Sequence, residues 1–82
     1  MTASAQIAIY PLRQERLTPA VEAVQQALAA HALKAETGPM STYVVGEAAT
    51  IFAALQEAFA RASATGHVVM TVTVSSACPI PD

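Results

Sequence analysis

Charge is scarce in this chain. Four of its 82 residues are basic and six acidic, giving a formal net charge of −2 and a charged share of 12%, roughly half that of an ordinary globular domain. The basic residues Arg13, Arg16, Lys34 and Arg61 are scattered. Phosphate-backbone recognition needs a clustered positive footprint, so nucleic acid is excluded as a partner. The single cysteine, Cys78, has no internal partner for a disulfide, which points to a reducing cytoplasm. No apolar run reaches the roughly 18 residues of a membrane span, and the opening Met1-Thr2-Ala3-Ser4 lacks the basic and apolar blocks of a signal peptide. No His/Cys pair stands at a zinc spacing, so no metal is expected. The glycines Gly38, Gly46 and Gly66 are isolated, which excludes a glycine-rich phosphate loop. His31 and His67 are the only histidines, and no nucleophile–base–orienter set can be drawn around them. No catalytic residue and no cofactor is expected.

Apolar residues, by contrast, are abundant, at 54% against a usual share of roughly 45–50%. A domain of this size buries only about 60% of its unfolded surface. The excess cannot all be hidden within one core, so a homodimer or homotetramer is expected. Residues 1–82 form one domain, with no linker, repeat or low-complexity tract.

Hydrophobic periodicity orders the chain. Ala5–Tyr10 alternates as a strand, with Ile7 and Ile9 on one face and Gln6, Ala8 and Tyr10 on the other; Pro11 ends it. Leu12–Leu17 is polar and charged and reads as an exposed loop. Thr18-Pro19 opens a helix, with a hydroxyl cap and proline at the first helical position. Val21, Val24, Leu28 and Leu33 supply its apolar side, and Glu22, Gln25 and Gln26 its wet side. A short strand is expected within Lys34–Gly38. Gly38-Pro39 punctuates a turn, and the β-branched and aromatic run Thr42–Val45 is a further strand. A second helix spans Ala48–Ala64, with Ile51, Leu55, Phe59 and Ala62 in one row, Phe52 beside them and Gly66 as its stop. His67–Ser75 closes the pattern, with Val68, Met70, Val72 and Val74 facing one way and Val69, Thr71, Thr73 and Ser75 the other.

This order, β-α-β-β-α-β, is that of a ferredoxin-like α+β fold: a four-stranded antiparallel sheet with both helices on one face. The first and last strands are expected to be its central neighbours. The opposite face would show Gln6, Tyr10, Thr71, Thr73 and Ser75. These neutral groups suit a second subunit or a small polar ligand better than bare solvent.

Candidate site residues lie where strands end. Ser41 and Thr42 carry hydroxyls that can donate and accept, though such residues also stabilise turns; Ser75 and Ser76 share that ambiguity. Tyr10 offers a ring and a hydroxyl, for a ligand or for subunit packing. Glu47 could neutralise a cation or serve the dipole of the following helix. His31, near a helix C-terminus, reads as a favourable charge there. Cys78 reads as a small hydrophobe or a reactive thiol.

Three segments together resemble a known family. They are Ile9-Tyr10-Pro11, then Ser41-Thr42-Tyr43-Val44-Val45-Gly46, and His67-Val68-Val69-Met70 running through Ser75 to Cys78-Pro79. From about residue 6 to 79 the chain resembles YkoF-type thiamine- and hydroxymethylpyrimidine-binding proteins and their small single-domain thiamine-binding relatives. The resemblance implies a ferredoxin-like domain that binds thiamine or its pyrimidine precursor without chemistry, in transport, salvage or sensing, and assembles as an oligomer. It would place Tyr10, Ser41, Thr42, Ser75 and Cys78 around the ligand, and Glu47 and Ser76 join them as candidates on the chemistry of their side chains. The tail departs from the family's Gly-Cys-Pro-Gly-Asp pattern, reading Ala77-Cys78-Pro79-Ile80-Pro81-Asp82. An aminopyrimidine suits hydroxyls and backbone groups, and a thiazolium suits a carboxylate or an aromatic face. Two other readings share the fold size: a dimeric α/β-barrel enzyme of the monooxygenase or isomerase type, needing His67 or Glu47 in its pocket, and an ACT-like regulatory module.

Overall fold

A computed structural model describes residues 1–12, 18–38 and 41–77. The elements follow in the order β1 (Thr2–Pro11), α1 (Thr18–Ala30), β2 (Ala35–Thr37), β3 (Thr42–Glu47), α2 (Ala48–Ser63) and β4 (Val68–Ser75). This is the ferredoxin-like α+β fold expected from the sequence. Both helices cover one face of a four-stranded antiparallel sheet. Cys78, most of the Leu12–Leu17 loop and the Pro39 turn position lie outside the described residues.

Strand order corrects one expectation. The sheet runs β2-β3-β1-β4, so β1 and β3 are central and β4 is an edge. β1 is flanked on both sides, pairing Ile7 with Thr42 of β3 and with Val72 of β4. Each βαβ crossover carries its helix over one intervening strand, which sends the last strand outward rather than to the centre.

The alternation places side chains as read, except that Val74 at the end of β4 is 37% exposed. Ala3, Ala5 and Ile7 are buried beneath the helices, and Ile9, Met70 and Val72 pack against that core. Ile7, Val24, Leu28, Val44 and Ile51 are its largest fully buried side chains, each worth about 1.5–3 kcal/mol relative to exposure. Alanines make the helix–helix contact: Ala27, Ala54, Ala58 and Ala62 are fully buried. Such small side chains allow close ridge-into-groove approach. The row expected for α2 is half right. Ile51, Leu55 and Ala62 face inward with Ala54 and Ala58, but Phe52 and Phe59 are 57% and 47% exposed. The inward positions are taken by alanine because α1 lies too close for a ring.

Both helix ends have a local cause. Past α1, the N–H of Ala32 donates to the Ala29 carbonyl and that of Leu33 to the Leu28 carbonyl, the paired bonds of a Schellman stop. Ala32 occupies the left-handed position at φ 59°, which glycine usually fills. After α2 the chain turns through Gly66 at φ 140°, a conformation costly to any residue with a Cβ.

Candidate functional site

A groove of about 390 Å³ lies between the first half of α1 and the sheet. Ile7, Ile9, Val21 and Val24 form its apolar floor, and Thr18, Glu22, Gln25, Thr37, Ser41 and Thr42 supply polar groups. The helix wall is the stripe Thr18, Val21, Glu22 and Gln25, at i, i+3, i+4 and i+7, which share one face. The far wall is the β2–β3 hairpin, closed by the Gly38 N–H donating to the Ser41 carbonyl at 2.8 Å. Gln25 Nε2 donates to Thr37 Oγ1 at 3.1 Å, tying helix to hairpin across the groove.

Ser41 and Thr42 therefore stand where a ligand could meet them. Thr42 is 6% exposed, on the helix-facing side of β3 beside Ile7. Ser41 Oγ accepts a hydrogen bond from Gln6 Nε2 at 3.1 Å, which leaves its own O–H free to donate. Ser41 also borders a shallower hollow of about 270 Å³ on the opposite face of the sheet. That hollow is lined by Gln6, Ala8, Tyr10, Thr71 and Thr73, all uncharged. Tyr10 thus lies near Ser41, but across the sheet from the groove.

The remaining candidates are elsewhere, and strand direction is the reason. In an antiparallel sheet the end of β1 adjoins the beginnings of β3 and β4, not their ends. Glu47 pairs with Thr2, and Ser75 with Ser4, whereas Thr42 is level with Ile7. Five strand steps separate Thr42 from Glu47, roughly 17 Å. Glu47 is instead held by the Met1 amino group at 2.5 Å and caps no backbone N–H of α2 with its side chain. Ser75 Oγ accepts from the Ala77 N–H, stabilising its own turn, and exposed Ser76 follows it at that rim. The expected gathering of hydroxyls at a single rim is corrected to two separate groups, and only Ser41 and Thr42 enter the groove.

Sequence reasoning missed Glu22, Gln25 and Thr37. Glu22 and Gln25 read as part of the wet side of α1, with Val21, Val24 and Leu28 on its apolar side. The available signal was the Thr18-Val21-Glu22-Gln25 spacing, which puts a hydroxyl, a carboxylate and an amide beside a valine on one face. Neither His67 nor Glu47 borders the groove or the sheet-face hollow.

His31 belongs to a third cluster, away from the groove. Its Nε2 lies 2.9 Å from Glu57 Oε1, and Arg61 Nη2 lies 2.5 Å from Glu57 Oε2. The His31 hydrogen bond, with Arg61 beside it, holds the Glu57 carboxyl below the usual range despite some desolvation. This ties the end of α1 to the third turn of α2. Among the described residues no group of three or more metal-ligating side chains exists, and no helix is long and apolar enough to cross a membrane.

Comparison with known proteins supports the same fold. The model of the YKOF-related family matches residues 2–81. A hypothetical protein of Methanocaldococcus jannascii superposes with a TM-score of 0.82 at 23% identity, over 92% of this chain and 79% of its own. A Streptococcus pneumoniae protein does so with 0.82 at 23%, covering 92% and 86%. A Thermotoga maritima protein, named for a proposed role in thiamine biosynthesis or salvage, gives 0.80 at 19%, covering 92% and 83%. No curated protein matches.

Proposed function

Because this chain belongs to the YKOF-related family, we propose that it binds thiamine or its hydroxymethylpyrimidine moiety without transforming it, in transport, salvage or sensing within the cytoplasm. The observation that carries this reading is the groove between α1 and the sheet. At about 390 Å³ it falls within the roughly 300–1,000 Å³ of small-molecule pockets. It combines an apolar floor with a few convergent hydroxyl and amide groups, the lining a flat aminopyrimidine requires. The Thermotoga maritima neighbour's link to thiamine favours the same ligand class.

The enzymatic alternative has less support. It required His67 or Glu47 beside a cavity, and neither borders one of the two hollows around Ser41. The chain is further proposed to act as a homodimer or homotetramer. The uncharged sheet face around Tyr10, Thr71 and Thr73 is the surface on which a second copy would sit.

Calorimetric titration with thiamine and with hydroxymethylpyrimidine tests the reading. Saturable heat at micromolar to millimolar ligand is expected from at least one of them. Absence of heat from both would end it.

A further inference from the structure

The groove contains one charge among its described lining residues, the carboxylate of Glu22. Everything else there is aliphatic, hydroxyl, amide or glycine. The ion pairs among the described residues engage Glu47 and Glu57 and leave Glu22 out. Its place on α1, one turn before Gln25 and beside Val21, puts this exposed side chain on the wall of a hollow whose other described lining residues are uncharged. As the one charge among those residues it sets the sign of the potential a ligand meets there, over a short range because the exposed side chain is screened by solvent and salt.

We infer that Glu22 makes the groove selective for a flat heterocycle that carries a positive charge and no phosphate. The inference rests on the ligand reading given above and deepens it. Three compounds share one aminopyrimidine and differ in charge beyond it. Thiamine carries a cationic thiazolium, hydroxymethylpyrimidine carries no fixed charge, and thiamine diphosphate adds anionic oxygens to the cation. Attraction to Glu22 favours the first, is indifferent to the second and opposes the added phosphates of the third. The order of affinity is therefore thiamine, then hydroxymethylpyrimidine, then thiamine diphosphate. The carboxylate that sequence reasoning assigned to this task, Glu47, lies at the far rim of the sheet and cannot perform it.

The test is calorimetry on the full chain with these three compounds, at low and at high salt, for the wild type and for Glu22→Gln and Glu22→Asp. At low salt the wild type should prefer thiamine over hydroxymethylpyrimidine by roughly three- to tenfold. Added salt should shrink that preference by screening. Glu22→Gln should abolish both the preference and its salt dependence, whereas Glu22→Asp, which keeps the charge, should retain part of each. Thermal melts of both variants report whether the domain is intact. A thiamine-to-pyrimidine ratio unchanged in Glu22→Gln, or equal loss of both ligands, overturns the inference while leaving ligand binding in place. If none of the three compounds binds the wild type, this inference and the ligand reading fall together.

Discussion

Leu33 rests directly on Gly46. A Cβ added at Gly46 would stand 2.7 Å from Leu33 Cδ2 and 4.0 Å from Ile51 Cγ1, so the Leu33 side chain must shift to admit one where the chain leaving α1 folds back over β3. Within the Ser41-Thr42-Tyr43-Val44-Val45-Gly46 segment, Ser41 and Thr42 border the groove while the glycine serves packing. Gly46→Ala should destabilise the domain by about 1–2 kcal/mol, toward the low end for overpacking because the obstructing atom is a side-chain methyl. Urea unfolding measures this. Leu33→Ala in the Gly46→Ala background should remove the steric part, so the two substitutions will be non-additive.

The α1 stop offers the opposite opportunity. Ala32 holds a left-handed backbone conformation that costs a residue with a Cβ about 1–2 kcal/mol. Ala32→Gly relieves that cost while loosening the unfolded chain, for a net gain of about 0.5–1 kcal/mol. A rise in melting temperature checks it, and a fall would show that the methyl has a packing role.

Thr42→Val keeps side-chain shape and removes one hydroxyl from the groove. Affinity for thiamine or hydroxymethylpyrimidine should drop by about 1–3 kcal/mol where that hydroxyl meets a buried ligand group. Ser75→Ala, at the far rim, should leave affinity as it is. Equal effects of the two substitutions in calorimetry would move the site out of the groove.

Acid should loosen the link between the helices. The Glu57 carboxyl, chiefly through its His31 hydrogen bond and with help from Arg61, titrates below its ordinary 4.5. A carboxyl with a depressed folded value stabilises the fold above the unfolded value, and that contribution is lost as pH falls through the folded one. The wild type should therefore exceed Glu57→Gln in urea midpoint above pH 4.5, and the advantage should disappear as pH drops further. A constant difference across the acid range would remove Glu57 as the cause.

Assembly is checked by light scattering. A dimer or tetramer is expected at micromolar concentration. Thr71→Lys, placing a charge in the neutral sheet-face hollow, should shift the population toward monomer. A wild-type monomer refutes the assembly itself, and an unaffected oligomer in the variant puts the contact on another surface.

The topology was legible because its signals are local and repeated. Val68–Ser75 alternates without interruption, and Thr18-Pro19 opens its helix where the structure begins α1. Strand order was misjudged because periodicity identifies a strand without naming its neighbours. The same gap misplaced the site. Tyr10, Ser75 and Glu47 all lie at strand ends in the sequence, yet antiparallel pairing sends those ends to different rims. Phe52 and Phe59 misled for another reason: large rings normally seek a core, but alanine-to-alanine helix packing leaves them no room inside. Glu22 was passed over because a carboxylate on a helix is ordinarily solvated. Only the hairpin opposite gives it a wall to complete.

The lateral position of β4 also has a practical side. Its eight residues, Val68–Ser75, include no lysine, glutamate or proline to discourage a stranger's backbone from joining, and edge strands of that character nucleate intermolecular growth. Concentrated or warmed samples should accordingly lose material to precipitation before the fold itself gives way. Colloidal behaviour, rather than unfolding free energy, will set the conditions under which this protein can be handled.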